Sequence, residues 1–348
     1  MMAQGFMQGD KGETMTRGTH GYLTRRGLVG AGLALTLVGA GGAAGTARAQ
    51  DGSETFTIVG AGQPDVEAAM RRFAQGMEDY TRGRTRITVD ASALDGASVL
   101  ARVQKGEVLM GWVPLAEVAH LVPELAPLTA PYLFADPGKA IELLAPTVLG
   151  PLLNAEFRKQ GLEPLTYLDG GGLRLAGTGD PALGDAQGQQ VTIRPGELRA
   201  LAFEALGFAP VEGAVKPGEP PSTPLAEMGA GDIAALRERS TGLRMAKAPH
   251  AQDIVVLLAN REGFNGLLLD IQETSKVRLE EVAAAQRAAA VQADAEALAG
   301  FADAGGEVVE TPDAARQDAR AKVKAAVSEA LKDVDNPSIL RTVLAYAG

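Results

Sequence analysis

Just after residue 50, the hydrophobic and polar positions follow two different periods. The segment Thr-Phe-Thr-Ile-Val-Gly at 55–60 predicts one strand, and the strict alternation of polar and apolar side chains over residues 86–90 predicts a second. Between them, apolar residues recur at spacings of three and four from Val66 to Met77, the stripe of an amphipathic helix. A strand, a helix and a strand in this order predict a βαβ unit with parallel strands.

The same patterns continue along the chain and predict an α/β fold. Further helices are predicted at 97–105, 115–121, 143–160, 312–331 and 339–346, and strands at 107–113, 162–168, 253–259 and 307–310. Residues 267–299 are rich in Ala, Glu and Gln and contain no proline, so helix propensity predicts one long helix there.

The first fifty residues have the pattern of an export signal. Arg25 and Arg26 precede a glycine-rich, mildly apolar run, and Ala47-Arg48-Ala49 has the small residues of a cleavage site. Paired arginines before a weakly hydrophobic run are typical of a twin-arginine signal. A membrane-spanning helix needs roughly 20 strongly apolar residues, and the glycine content argues against one. We therefore expect export to the periplasm, with residues 1–49 removed by cleavage near Ala49.

Composition narrows the possible chemistry. The 348 residues contain no cysteine, which excludes thiol catalysis, disulfides and a lipid-modified cysteine, and the three histidines lie far apart in sequence. A net charge of −10 without a run of Lys or Arg does not fit a nucleic-acid binder. The chain has no Gly-x-Ser-x-Gly motif and no complete dinucleotide or P-loop glycine pattern. We expect no enzymatic activity, cofactor or metal.

Two short apolar segments each end in an arginine. Arg174 closes Tyr-Leu-Asp-Gly-Gly-Gly-Leu-Arg, and Arg194 closes Val-Thr-Ile-Arg. A guanidinium presents five donors in a rigid fork, which matches a carboxylate through two parallel hydrogen bonds. Two such forks converging on one cavity would form a carboxylate receptor. The alternative is that each arginine is a solvated charge or pairs with a neighbouring acid.

Several segments, taken in order, resemble the substrate-binding proteins of TRAP (tripartite ATP-independent periplasmic) transporters. Residues 100–111 are similar to that family's helix–glycine–strand segment, and residues 122–136 to its Val-Pro-Glu … Pro-Phe-Leu-Phe segment. Residues 167–174 resemble its Asp-Asn-Gly-Phe-Arg turn, and residues 188–194 its strand Leu-Lys-Gly-Leu-Lys-Ile-Arg. The order and spacing of these segments carry the resemblance, which covers essentially the whole exported part of the chain.

The resemblance implies a two-lobe periplasmic binding protein of type II, with mixed sheets flanked by helices, hinge strands and a long helix that spans both lobes. Lobe 1 would comprise residues 50–173 and about 250–285, and lobe 2 residues 174–249 and about 286–348. In that family the arginine matching Arg174 lines the ligand cavity, and the one matching Arg194 forms a salt bridge with the ligand carboxylate. Such a buried pair stabilises a complex only where water is excluded, which implies a cleft that closes.

The chain departs from the family after Pro210. Where the family has Gln-Glu-Asn-Pro, with an asparagine that contacts the ligand, this chain has Leu-Arg-Glu-Arg-Ser at 236–240. One interpretation places Arg237, Glu238 or Arg239 in the cleft, and the other leaves all three solvated. A glutamate in the cleft would favour a ligand with an amine or hydroxyls, whereas an arginine would favour a second acid group.

Two further residues have two interpretations each. Asp169 either forms a hydrogen bond with the ligand or caps the turn at Gly170–Gly172. Trp112, the only tryptophan, is either a core residue or a wall of the cleft. We include both among the candidate ligand-binding residues, together with Arg174, Arg194, Arg237 and Glu238.

The function implied by the resemblance is solute binding. The protein would be a monomer that captures a small organic acid and delivers the carboxylate to membrane-embedded TRAP permease subunits. The alternatives are a periplasmic sensor that passes its solute to a receptor, or an exported hydrolase that uses His120 or His250. The sequence does not separate transport from sensing.

Overall fold

The structure, a computed structural model, describes residues 46–48, 54–92, 95–145, 148–184, 186–216, 218–333 and 337–347. Apart from residues 46–48, the predicted export signal therefore lies outside the described residues. Within these ranges, no helix has both the length and the apolar character needed to cross a membrane.

The described strands join into one mixed, curled sheet of eleven strands. In chain order they are β1 Thr46–Arg48, β2 Glu54–Gly60, β3 Thr85–Asp90, β4 Met110–Pro114, β5 Leu162–Gly177, β6 Gln190–Ile193, β7 Ala209–Glu212, β8 Leu225–Met228, β9 Arg244–Ala246, β10 Ala251–Asn260 and β11 Glu307–Val309. The predicted βαβ unit is confirmed, because β2 and β3 pair in parallel, with Glu54 opposite Thr85.

Helices flank this sheet. In chain order they are α1 Pro64–Thr81, α2 Gly96–Gln104, α3 Leu115–Val118, α4 Lys139–Leu143, α5 Gly150–Lys159, α6 Glu197–Ala205, α7 Ala230–Ala235, α8 Arg261–Asn265, α9 Leu269–Asp303, α10 Asp313–Ala330 and α11 Pro337–Tyr346. Two 3₁₀ segments, Pro123–Thr129 and Arg237–Arg239, complete the described elements.

The long strand β5 belongs to both halves of the sheet. Its N-terminal part pairs antiparallel with β10 as far as Leu173 opposite Ala251. From Arg174, which lies opposite Met228, its C-terminal part pairs antiparallel with β8. We call β1–β4, β10 and the N-terminal part of β5 the first half-sheet, and the other strands with the C-terminal part of β5 the second half-sheet. The α/β fold expected from the sequence, with a mixed sheet flanked by helices, is confirmed.

Three predicted elements are wrong in their extent. The strand expected to end at Leu168 continues through the three glycines to Gly177, because glycine tolerates the positive φ of +88° at residue 171. The helix expected over 143–160 begins only at Gly150 of α5, and α4 ends at Leu143. Pro146 lies between them in sequence, and proline disfavours a continuous helix. The helix expected over 115–121 ends at Val118.

The predicted long helix is confirmed as α9, which has 35 residues and is therefore about 52 Å long at 1.5 Å per residue. It packs against α1, β5 and α7, and so contacts elements of both half-sheets. Its buried residues are large toward the ends and mostly small in the middle: Ile271, Ser275, Leu279, Ala283, Gln286, Ala290, Ala297 and Phe301. The small residues allow the helix to lie close to β5.

Candidate functional site

Arg194 connects the two half-sheets through its side chain. It follows the last residue of β6, and its backbone N–H donates to Glu227 Oε2 on β8 at 2.8 Å. Its Nη1 donates to Asp253 Oδ2 on β10, in the first half-sheet, and its Nη2 lies 3.4 Å from Asp232 Oδ2 on α7. The side chain is 34% exposed, so this guanidinium is paired but remains accessible to solvent.

A cavity of about 260 Å³ opens beside this guanidinium. Its wall is built from six parts of the chain: residues 63–66 at the start of α1, residues 169–171 of β5, Arg194 after β6, residues 229–232, Asp253 of β10, and Ala290 and Ala293 of α9. Elements of both half-sheets therefore enclose the same space. A ligand bound there would contact both halves of the molecule at once.

Two glycines allow the charged groups to lie close together at this cavity. A Cβ atom on Gly229 would lie 3.2 Å from Arg194 Nη2, and one on Gly170 would lie 3.0 Å from the side chain of Asp253. Both distances are tighter than ordinary van der Waals contact. Larger residues would therefore push the guanidinium or the carboxylate out of its present position.

The cavity is strongly acidic. Four aspartates line it, namely Asp65, Asp169, Asp232 and Asp253, against the single cation of Arg194. The negative charge of Asp253 raises the pKa of Arg194 above its ordinary value, with a further contribution from Asp232. Burial raises the pKa of Asp169, because the charged carboxylate is poorly solvated there.

Asp169 caps the glycine segment and also lines the cavity. Its Oδ1 accepts from the Gly171 N–H at 2.8 Å and from Gln252 Nε2. Its backbone N–H donates to Gln286 Oε1 at 2.9 Å, and its carbonyl accepts from Gln286 Nε2 at 2.6 Å. Because Gln286 belongs to α9, these two bonds fasten the long helix to β5 at the cavity wall.

Arg174 does not line the cavity around Arg194. It is only 4% exposed, and its fork is fully engaged with a carboxylate of the protein itself. Nη2 donates to Asp294 Oδ2 on α9 at 2.6 Å, Nη1 donates to Asp294 Oδ1, and Nε donates to the Lys247 carbonyl at 3.0 Å. This arrangement corresponds to the alternative in which the arginine pairs with a neighbouring acid.

Trp112 and Glu238 also do not line this cavity. Trp112 is fully buried in the core of the first half-sheet, where its ring occupies the space that a Cβ on Gly60 would need. Glu238 and Arg239 are exposed in the 3₁₀ segment and do not line the cavity. The side chain of Arg237 lies outside the described part of the structure.

The sequence interpretation missed a buried charged cluster behind Arg194. Arg199 Nη1 donates to Glu227 Oε1 at 2.8 Å, and His250 Nε2 lies 2.8 Å from the same oxygen. Burial would raise the pKa of Glu227, but the charge of Arg199 and the bond with His250 outweigh it and lower the pKa to about 2. Burial lowers the pKa of His250, and Tyr132 stacks on its ring at 5.1 Å.

The partners of Arg194 were also missed, although the sequence contains a signal for one of them. Asp253 is the only charged residue between Ala251 and Ala259, a strand that is otherwise almost entirely apolar. A lone carboxylate in such a strand is expected to have a partner, because an unpaired buried charge is costly. Asp232 follows Gly229-Ala230-Gly231 and gives no comparable signal.

Comparison with known sequences agrees with the predicted resemblance. Residues 56–216 match the model of a family described as bacterial extracellular solute-binding protein, family 7. The uncharacterized protein y4mM of Sinorhizobium fredii is 31% identical over 152 residues, which is 42% of this chain. The match spans 28% of the length of that relative.

Comparison with solved structures extends the likeness to most of the chain. A TRAP periplasmic solute-binding protein from Sulfitobacter sp. NAS-14.1, with bound β-D-galacturonate, matches 84% of this chain and 99% of its own, with a TM-score of 0.72 and 19% identity. One from Shewanella oneidensis, with bound succinate, matches 84% and 99%, with a TM-score of 0.73 and 17% identity. The resemblance is confirmed: the chain has the fold of the TRAP periplasmic solute-binding proteins.

Proposed function

We propose that this chain is an extracytoplasmic solute-binding protein of a TRAP-type transporter. It captures a small organic acid in the cavity around Arg194 and delivers the acid to membrane-embedded permease subunits. The observation that carries the proposal is the position of Arg194, a partly accessible guanidinium in a cavity enclosed by both half-sheets. The similar proteins from Sulfitobacter and Shewanella hold galacturonate and succinate, which are both carboxylates.

In this proposal the two arginines have different tasks. Arg194 contacts the ligand carboxylate, because its fork faces the cavity and its side chain is only partly covered. Arg174 is a positioning residue, because its bidentate bond with Asp294 holds α9 against β5. Asp169 lies on the same wall as Arg194 and is available to a polar group of the ligand.

The two half-sheets are the basis of the proposed lobes. The partner of β5 changes from β10 to β8 between Leu173 and Arg174, which supports a lobe boundary at that point. Closure of the lobes around a ligand would exclude water from the guanidinium–carboxylate pair and so strengthen it. We propose that a monomer is sufficient, because one chain supplies every part of the cavity wall.

The proposed location is the periplasm, reached through a twin-arginine signal. Cleavage near Ala49 would also remove β1, which pairs with the first residues of β2. N-terminal sequencing of the exported protein tests this assignment. We expect a start near Gln50, and a start at Met1 in the exported material would contradict it.

A thermal-shift experiment against a panel of carboxylates tests the assigned role of Arg194. A ligand at about 100 times its Kd adds about 2.7 kcal/mol to the free energy of unfolding. Arg194→Ala should abolish the shift, and Arg194→Lys should weaken it, because lysine cannot reproduce the planar fork. Arg84→Ala is the matched control, since Arg84 forms an exposed pair with Asp270 that does not line the cavity.

The outcome that contradicts the proposal is an Arg194→Ala protein with the shift of the unaltered chain. Transport and sensing are then separated by reconstitution with the permease subunits. Uptake of the bound acid into vesicles that depends on this protein supports transport.

A further inference from the structure

We propose that the ligand is zwitterionic, a small organic acid that also carries a protonated amine. This inference rests on the proposed function, because it concerns a second group on the acid that binds at Arg194. It gives the cavity two subsites, one for the carboxylate at Arg194 and one for the ammonium group at the aspartates beside it.

The charge balance of the cavity disfavours a simple carboxylate. Four aspartates and one arginine line the space, so an added anion would enter a region that already has an excess of negative charge. Like charges brought together in a partly enclosed site repel strongly, because the effective dielectric constant is lower than that of water. A protonated amine on the same ligand would offset the added negative charge.

The ion pair of Arg194 shows how such a ligand could enter. In the described structure, Asp253 already occupies one edge of the guanidinium, and Asp232 lies near the same fork. A carboxylate that displaced Asp253 would leave this aspartate without its cation, although its side chain is only 9% exposed. A zwitterion inserted between the two residues would give Arg194 a carboxylate and Asp253 an ammonium, so each charge would keep a partner.

The side chain of Gln63 favours the same class of ligand. Gln63 lines the cavity, and its Nε2 donates to Asp253 Oδ2 at 3.2 Å. Its Oε1 is buried and has no hydrogen-bond partner among the described residues. An unpartnered buried acceptor is costly, and an ammonium group supplies three donors without adding an acceptor. An ammonium group next to Asp253 could therefore also satisfy this oxygen.

A metal ion is a weaker explanation for the acidic lining. Across the described ranges, no group of three or more His, Cys, Asp or Glu residues is arranged to hold one. Protein sites for Ca²⁺ typically supply six to eight oxygen ligands. A positive charge carried by the ligand itself needs only the one or two carboxylates nearest to it.

The size of the cavity favours a short ligand. Its volume of about 260 Å³ is below the range of about 300–1,000 Å³ that holds drug-sized molecules. Short amino acids such as β-alanine and 4-aminobutanoate are suitable probes, because they separate the two charges by a few carbon atoms.

Isothermal titration calorimetry with matched pairs of acids tests the proposal. The pairs are β-alanine with propanoate, 4-aminobutanoate with butanoate, and L-aspartate with succinate, so that the members differ in the amine. We expect at least one amine-bearing member to bind on the order of 30-fold more tightly than its partner, because the partner leaves Asp253 unpaired. D-galacturonate is added to propanoate, butanoate and succinate as a fourth acid without an amine.

The charge of Asp253 can be removed with little change of shape. In Asp253→Asn the preference for the amine should fall to a few-fold or less, whereas Asp270→Asn, on the exposed part of α9, should keep it. Melting curves confirm that both variants fold. If Asp253→Asn does not fold, the ratio within each pair for the unaltered protein still decides the outcome.

The outcomes separate this inference from the proposed function. If succinate, galacturonate or another acid without an amine binds as tightly as the best zwitterion, and Arg194→Ala abolishes that binding, the zwitterion inference is overturned and the proposed function stands. If no acid of either kind binds, the proposed capture of an organic acid fails as well.

Discussion

Arg174, which lies within β5, and Arg194, which follows β6, differ in what surrounds them. Arg174 is 4% exposed, and all three of its donor nitrogens bond to protein oxygens. The side chain of Arg194 is 34% exposed and lines a cavity. Both arginines are paired with aspartates, so the presence of an ion pair does not distinguish structure from function. The open space beside the fork is the feature that does.

A third arginine extends this comparison. Arg199 is as sealed as Arg174, and its partner Glu227 has no exposed side-chain surface. Glu227 also accepts from the backbone N–H of Arg194. The buried Arg199–Glu227 pair therefore fixes the end of β6, where Arg194 lies. Rigid support of this kind orients a binding group without contacting the ligand.

The largest effect on stability is expected from opening the most deeply buried pair. Arg199→Met would leave Glu227 charged in the core without its main cation. We expect the free energy of unfolding to fall by about 3–5 kcal/mol, measured by chemical denaturation. In the double variant Arg199→Met/Glu227→Met, part of this loss should be recovered, because the uncompensated charge is gone. A loss below about 1 kcal/mol for the single variant would be typical of a solvent-exposed pair and would contradict the burial of Arg199 and Glu227.

Measuring both stability and ligand binding in variants of Arg174 and of Arg194 tests whether the two arginines differ in role. Arg174→Met should lower the free energy of unfolding by about 3 kcal/mol while ligand affinity changes only a few-fold, because Asp294 loses its partner away from the cavity. Arg194→Met should also lower stability, by about 1–3 kcal/mol, because Asp253 loses its cation, but it should in addition abolish measurable binding. Denaturation and calorimetry on both variants check this. The comparison fails if Arg174→Met abolishes binding in a protein that is still folded.

The sealed cluster should also make stability depend on pH. The pKa values of His250 and Glu227 both lie below their ordinary values of 6.5 and 4.5, so the unfolded chain binds more protons than the folded protein as pH falls. Their contribution is complete above pH 6.5. The contribution of His250 is lost as pH falls below 6.5, and that of Glu227 between pH 4.5 and about 2.

The variant His250→Gln isolates one part of this dependence. It should flatten the decline in the free energy of unfolding between pH 6.5 and 4.5 and keep most of the decline below pH 4.5, because Arg199 still lowers the pKa of Glu227. Denaturant titrations at half-unit pH steps measure both parts. An unchanged slope above pH 4.5 in the variant would assign that part of the decline to other groups.

The sequence predicted those features that depend on neighbouring residues. The alternation over 86–90, the helical stripe in α1 and the propensity of α9 are local, and the structure contains all three elements. The position of Arg194 at the end of a strand was also predictable, because the apolar run before it is local.

The partners of the arginines depend on distant parts of the chain. Asp253 is 59 residues from Arg194, and Asp294 is 120 residues from Arg174. Which of the 43 acidic residues meets which arginine follows from the return of β10 into the first half-sheet and from the path of α9. Neither path can be inferred from hydrophobic periodicity. For this reason the sequence could not show that Arg194 lines a cavity whereas Arg174 is buried.

The length of α9 has a mechanical consequence. The helix is anchored by Ile271 and Leu279 near one end and by Phe301 near the other, and Gln286 and Asp294 attach its middle to β5. Any rotation of one half-sheet relative to the other must therefore bend α9 or slide its small alanine side chains along β5. Elastic energy stored in the bent helix would oppose closure of the two half-sheets around a solute and would be released when the solute leaves.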